Sequence, residues 1–366
     1  MAIVQAAVYD ATMAIAQTHH LYHAVPLAPP STSVEAAVAA AHDVLVEYFP
    51  SQQASIDAAY NAALAEIPDG PQKTAGISVG EQTAAALIDL RADDGRFADV
   101  PAPPDGNDPG EWRRTSPGLA VTPWTAHVTP FLVHSPEQCR SEGPHPLTSE
   151  DYAEQFEETR LYGAKTGSLR SPAQTEIAIF WTENTVRQYN RALRGFAVEH
   201  ELSVAQAARL FAMTSLTAAD AMITCWNTKY HYLAWRPVTA IREAGDDDNP
   251  ATVPDPTWEP FSVTANHPEY TSGHACLTGA ITRSLEEFLG TEDIGLTMGS
   301  TAPGTGVHYF ATVDDLRTEE EHIVVLRRLW TEPFVTFEGR FHKLNDVGLN
   351  QLPQQPIPVW IGCAPE

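Results

Sequence analysis

The chain has 366 residues, 43% of them hydrophobic, and a formal charge of −25 at pH 7. That length buries a sizeable core, whether in one large domain or two medium ones. Its acidity, with a pI near 4.8, excludes the broad basic surfaces that nucleic acid and anionic membranes require, so any oxyanion site must be a local basic pocket.

Apolar residues at helical spacing predict a helix over 1–17. A second, Ala-rich helix runs over 33–48 and is stopped by Pro50. A third ends near Ile67 before Pro68-Asp69-Gly70, and a fourth covers 77–90. From 93 to 148 the composition turns to Pro, Gly, Asp and Trp without a sustained period. So long an irregular segment reads as a loop wrapping towards a pocket mouth, or as a solvated connector. Helices resume over 149–164, then over 171–184, and on through 195. Ser203 with Gln206 forms a capping-box start for a central helix reaching about Tyr232. Pro237 disfavours helical geometry at Arg236 and places that residue at a helix end. The acidic turn 245–250 lacks EF-hand spacing and reads as a solvated loop. A further helix over 275–289 stops at Gly290. Beyond 318 an amphipathic helix over 319–330 precedes a hairpin-like alternation, FVTFEG with FHKL, and the apolar strand-like run PIPVWIG. The four cysteines have no Cys-x-x-Cys spacing, so neither a zinc site nor a disulfide framework is expected; Cys225 and Cys276 read as small core residues. No run of eighteen apolar residues exists, which argues against a membrane span.

The chemistry concentrates in two stretches, KYHYLAWRP (229–237) and TSGH (271–274). Lysine is rare here, with only Lys73, Lys165, Lys229 and Lys343 present. A helix running to Pro237 would carry Lys229 and Arg236 nearly two turns apart, about 10 Å of rise, on one face. Two such cations can converge on one small oxyanion, although the same spacing also suits a solvated helical face. Ser272 and Gly273 would offer amides at a helix N-terminus, and His274 on the first turn could give or take a proton. His267, seven residues earlier in a loop, reads as a structural histidine.

KYHYLAWRP fits Lys-x6-Arg-Pro, and HPEYTSGH fits the Pro-Ser-Gly-His segment with Thr271 in place of proline. With FWTENTVRQYNRALRGF (180–196), these stretches resemble the type 2 phosphatidic acid phosphatase and vanadium-dependent haloperoxidase superfamily, in its soluble bacterial branch. The resemblance covers about residues 1–318 and implies an all-α helical bundle. It implies that Lys229, Arg236, Ser272 and Gly273 bind vanadate or phosphate oxygens, and that Lys229 and His274 are catalytic. It also implies small-molecule chemistry with peroxide and halide, without nucleic acid or membrane partners; oligomeric state is not legible. The family's third motif, Arg-x5-His, supplies the histidine that bonds to vanadium or phosphorus. No Arg-x5-His follows His274. Arg317 to His322 is one residue short, and His308 lies upstream of the family position; these two, or His342, could substitute only by accident of geometry. Residues 319–366 instead resemble an internal piece of a luciferase-like flavin- or F420-dependent monooxygenase and imply a short α+β appendage. So short a piece is not expected to support flavin or F420 chemistry.

The resulting expectation is a haloperoxidase-like protein, impaired by the lost motif, in a chimeric chain. Alternatives are an acid phosphatase-type phosphomonoester hydrolase and an inactive oxyanion-binding remnant. No signal peptide is recognised. The opening IVQAAVYDATMAIA looks like the inside of a first helix, so a missing upstream segment is expected, and localisation is not assigned.

Overall fold

The computed structural model describes residues 1–29 and 31–321, with the strands Val335–Glu338 and Lys343–Val347. Its axis is the helix α8 (Val204–Tyr232), 29 residues long and started by a capping box in which Ser203 and Gln206 satisfy each other's amides. The helices before it are α1 (Ala2–Ala16), α2 (Ala39–Tyr48), α3 (Gln53–Ala65), α4 (Pro71–Leu90), α5 (Glu150–Tyr162), α6 (Pro172–Phe180) and α7 (Thr185–Glu199). After it come α9 (Pro237–Arg242), α10 (Gly273–Leu289) and α11 (Val313–Glu321). The expected all-α body is therefore found. None of these helices is long and apolar enough to cross a membrane.

Two apolar layers form on either side of α8. One joins α1, α2 and α4 through Ile3, Ala7, Ala11, Ala40, Val44, Ala84 and Leu87, with Leu216 contributed by α8. Small residues let these helices approach closely. A Cβ on Gly80 of α4 would lie 2.8 Å from both Ala39 Cβ and Ala40 N. The other layer joins α6, α7 and α10 through Phe180, Tyr189, Leu193, Leu277, Ile281 and Leu285, with Leu210 from α8. Strands β1 (Asp293–Gly299) and β2 (Val307–Thr312) close this second layer as an antiparallel pair. Ile294, Leu296, Met298 and Phe310 point inward from them.

Differences from the sequence-based reading have local causes. The helix expected over 171–184 ends earlier, as α6 stops at Phe180, and Asn184 instead caps α7 by accepting the Arg187 amide. Helix α4 starts at Pro71, where proline needs no amide partner, rather than at Ile77. The β1–β2 hairpin was not expected. The turn at 245–250 is a tied corner, not a solvated loop. Asp247 is buried and accepts the Thr252 hydroxyl and the Asn249 amide, while Asn249 Nδ2 donates to Leu147 O. In the C-terminal segment Val335–Glu338 (β3) and Lys343–Val347 (β4) pair antiparallel as the hairpin alternation predicts. Of the helix expected over 319–330, residues 319–321 fall in α11, and the rest of it, like PIPVWIG, lies outside the described residues.

Candidate functional site

The long segment 93–148 wraps along α8 and frames the C-terminal end of that helix. Asp220, buried on α8, accepts the amides of Phe131, Leu132 and Val133. Asn227 Nδ2 donates to Ala126 O, and both Trp226 Nε1 and Tyr230 OH donate to Val121 O. Polar side chains on an otherwise apolar helix thus anchor backbone that would be unsatisfied in a buried loop.

Helix α8 ends where Leu233 turns left-handed, φ 49°, and donates its amide to Lys229 O. The turn is clamped by the wrapping segment, since Trp112 N donates to Leu233 O and Trp235 N to Gly110 O. Arg236 is then extended, ψ 152°, and caps α9. This corrects the picture of Lys229 and Arg236 on one helical face. They belong to two elements and are brought together by the turn.

Both cations face the segment that leads into α10. Lys229 is only 1% exposed, and its Nζ donates to Pro268 O at 3.0 Å and Glu269 O at 2.7 Å. Burial lowers its pKa. Arg236 Nη1 pairs with the Glu269 carboxylate at 2.7 Å, while its buried Nε has no partner. Ser272 caps α10 by accepting the Ala275 amide, which leaves its own hydrogen to donate. Gly273 opens that helix against Trp226, where a Cβ would lie 3.3 Å from the indole.

His274 bonds Trp181 O through Nε2 at 3.1 Å. A carbonyl only accepts, so Nε2 carries the hydrogen and Nδ1 keeps the lone pair. By surface area this residue is solvent-accessible. Surrounding protein nevertheless desolvates the ring and, with the Lys229 charge and against the Trp181 hydrogen bond, holds its pKa below the usual value. His267 is a structural histidine as expected: Nδ1 donates to Pro268 O at 2.9 Å, and the ring packs on Trp226. Burial and then Lys229 lower its pKa to about 4.

The weak histidine candidates fare differently. His308 on β2 stacks on Phe180 at 3.9 Å between ring centroids, with Nε2 on Glu176 and Nδ1 on Glu319. Burial alone would lower its pKa, but the two carboxylates raise it. With both ring nitrogens engaged it offers no lone pair to a ligand. His322 and His342 lie outside the described residues. Arg317 Nε donates to Thr282 on α10.

A family model of the VCPO second helical-bundle domain matches residues 209–325, which contain every one of these cations and the 271–274 turn. A bacterial vanadium-dependent iodoperoxidase superposes with a TM-score of 0.71 at 21% identity, over 87% of this chain and 81% of that one. The helical body has the vanadium haloperoxidase fold. Vanadium chloroperoxidase of Curvularia inaequalis is 29% identical over 151 residues, 34% of this chain and 24% of that protein. A second resemblance overlaps the end of the first, since a luciferase-like monooxygenase model matches residues 295–366. There an F420-dependent glucose-6-phosphate dehydrogenase of Intrasporangium calvum is 44% identical over 43 residues, 12% of this chain and 13% of that protein. The chain thus matches about a quarter or less of the length of these curated relatives.

Chemically, the donors suit a tetrahedral oxyanion. Lys229 Nζ, the unpartnered Arg236 Nε, the Ser272 hydroxyl and the first amides of α10 all present hydrogens and positive charge. His308 adds no lone pair to this set, since Glu176 and Glu319 hold both of its ring nitrogens.

Proposed function

We propose that the body over residues 1–318 is a vanadium haloperoxidase-like protein that binds vanadate, or phosphate in its place, with turnover impaired by the missing third motif. The observation that carries this is Lys229, a buried ammonium whose contacting atoms are carbonyl oxygens rather than a carboxylate. A buried cation held by dipoles alone keeps its attraction for a small anion. In this reading Lys229, Arg236, the Ser272 hydroxyl and the Gly273 amide would hold the oxygens of the anion at the start of α10. His274 handles protons at Nδ1, since Trp181 O occupies Nε2. Bound vanadate would supply the peroxide-activating centre for halide oxidation. For residues 319–366, an incomplete luciferase-like piece, no flavin or F420 chemistry is proposed.

Orthovanadate titration by calorimetry tests the binding, with Lys229→Ala and the isosteric Lys229→Met as controls. Saturable binding lost in both controls, with their folding checked by circular dichroism, supports the reading, together with peroxide-dependent bromination near background. Undiminished binding in folded Lys229→Met would overturn the site assignment. Brisk bromination would overturn the impairment.

A further inference from the structure

Beside the candidate anion site, α8 and α10 each contribute a cysteine that the preceding reading does not use. Cys225 lies one turn before Lys229 and is 2% exposed. Cys276 sits on the first turn of α10, its amide bonded to Ser272 O. Thr271 stands between them, with Oγ1 3.4 Å from Cys225 Sγ and 3.5 Å from Cys276 Sγ. Cys225 also donates to Thr271 O at 3.7 Å. Both thiols are thus within reach of the one Thr271 hydroxyl. Ala126, Met222, Trp226 and Tyr230 pack around them and keep bulk reagents away.

We propose that Cys225 and Cys276 form a dithiol that hydrogen peroxide oxidises to a disulfide across α8 and α10. The redox step stands without the anion reading, and only its effect on anion binding rests on that reading. Two features make Cys225 the attacking sulfur. The hydrogen bond from Cys276 and the charge of Lys229 hold its thiol below its ordinary pKa against the effect of burial. For Cys276, the bond with Cys225 and then burial push the thiol upward, which suits a resolving partner. Partial exposure of Cys276 gives a peroxide-sized reagent its approach.

The step balances. Cys225 thiolate attacks one oxygen of hydrogen peroxide, an S–O bond forms, the O–O bond breaks, and the departing hydroxide takes a proton to become water. Cys276 gives up its proton and attacks the sulfenic sulfur, so an S–S bond forms and the S–O bond breaks. The second hydroxide leaves with that proton as water. Two thiols are oxidised by two electrons, and one peroxide is reduced to two waters. Closing the bond draws the sulfurs together and displaces the Thr271 hydroxyl from between them. Thr271 opens the 271–274 turn, so the donors at Ser272 and Gly273 move with it.

The test treats the full chain with hydrogen peroxide, quenches it, alkylates it after unfolding, and maps the peptides. Expected are a linked Cys225–Cys276 peptide, reversal by dithiothreitol, and one peroxide consumed per chain. Cys276→Ser should leave Cys225 as a sulfenic acid trapped by dimedone, whereas Cys225→Ser should leave Cys276 unlabelled. The proposal is overturned if both residues alkylate fully after peroxide while an unfolded control is oxidised. Oxidation of either beyond the sulfenic level with no linked peptide also overturns it. Orthovanadate titration of both redox forms separates the two readings. Linkage without vanadate binding in either form sinks the anion site and leaves the dithiol. Binding to the reduced form that weakens at least threefold on oxidation supports both.

Discussion

At the scale of single residues, the candidate site is a competition for two cations. Glu269 takes part twice, through its carbonyl on Lys229 and its carboxylate on Arg236. That carboxylate is 42% exposed, so the pair with Arg236 is worth only about 0.2–1 kcal/mol. An incoming oxyanion must displace it. Glu269→Gln should therefore tighten orthovanadate binding about two- to fivefold by calorimetry; unchanged or weaker binding would show that Glu269 is not a competitor. Lys229 presents the opposite case. Lys229→Met removes a desolvated charge but leaves two carbonyls without their donor, and these effects oppose each other. Stability in urea should stay within about 2 kcal/mol of the parent while anion binding disappears. Lys229, Arg236, Ser272, Gly273 and His274 stand out as candidates from spacing and motif alone. Their present partners were not, because Glu269 and Pro268 come from an irregular segment whose path only the fold determines.

At the scale of elements, the helices declared themselves through their ends. Ser149, Ser171 and Ser203 cap α5, α6 and α8, each accepting an amide three residues on. The β1–β2 hairpin had a signal too: Ile294, Leu296 and Met298 alternate at period two, and all three are buried. Glycines at 295 and 299 masked it by reading as loop. The wrapping segment has no period of its own, and its register comes from α8 instead. Asp220 is the clearest anchor, a carboxylate 4% exposed that holds three consecutive amides. Asp220→Ala should strand those amides and cost about 2–4 kcal/mol in chemical unfolding. Hydrogen exchange should speed up first at 131–133; uniform loss of protection across the body would mean that the segment is held elsewhere.

At the scale of the whole molecule, helices from both sides of the chain converge on α8, and a strongly acidic protein shelters a small basic interior. The titration of that interior links folding to pH with a determinable sign. His267 is lowered from the ordinary 6.5 to about 4 by burial and then by Lys229, with Arg236 adding and Glu269 and the Pro268 bond opposing. Its contribution to stability is present above pH 6.5 and is lost as pH falls through 4, because the unfolded chain binds a proton that the folded one refuses. Asp10 runs the other way. Burial raises it from 3.8 to about 6, against hydrogen bonds from the His23 and Tyr22 amides. Its contribution is present below pH 3.8 and is lost as pH rises through 6. The two slopes oppose between pH 4 and 6, so the parent protein alone reveals neither. Comparison with His267→Gln isolates one of them. The stability of the parent relative to this variant should fall by about 2 kcal/mol from pH 7 to pH 4, after allowance for partial solvent exposure of the ring. A pH-independent difference between the two urea midpoints would mean that His267 titrates normally, and with it that the field of Lys229 does not reach the segment leading into α10.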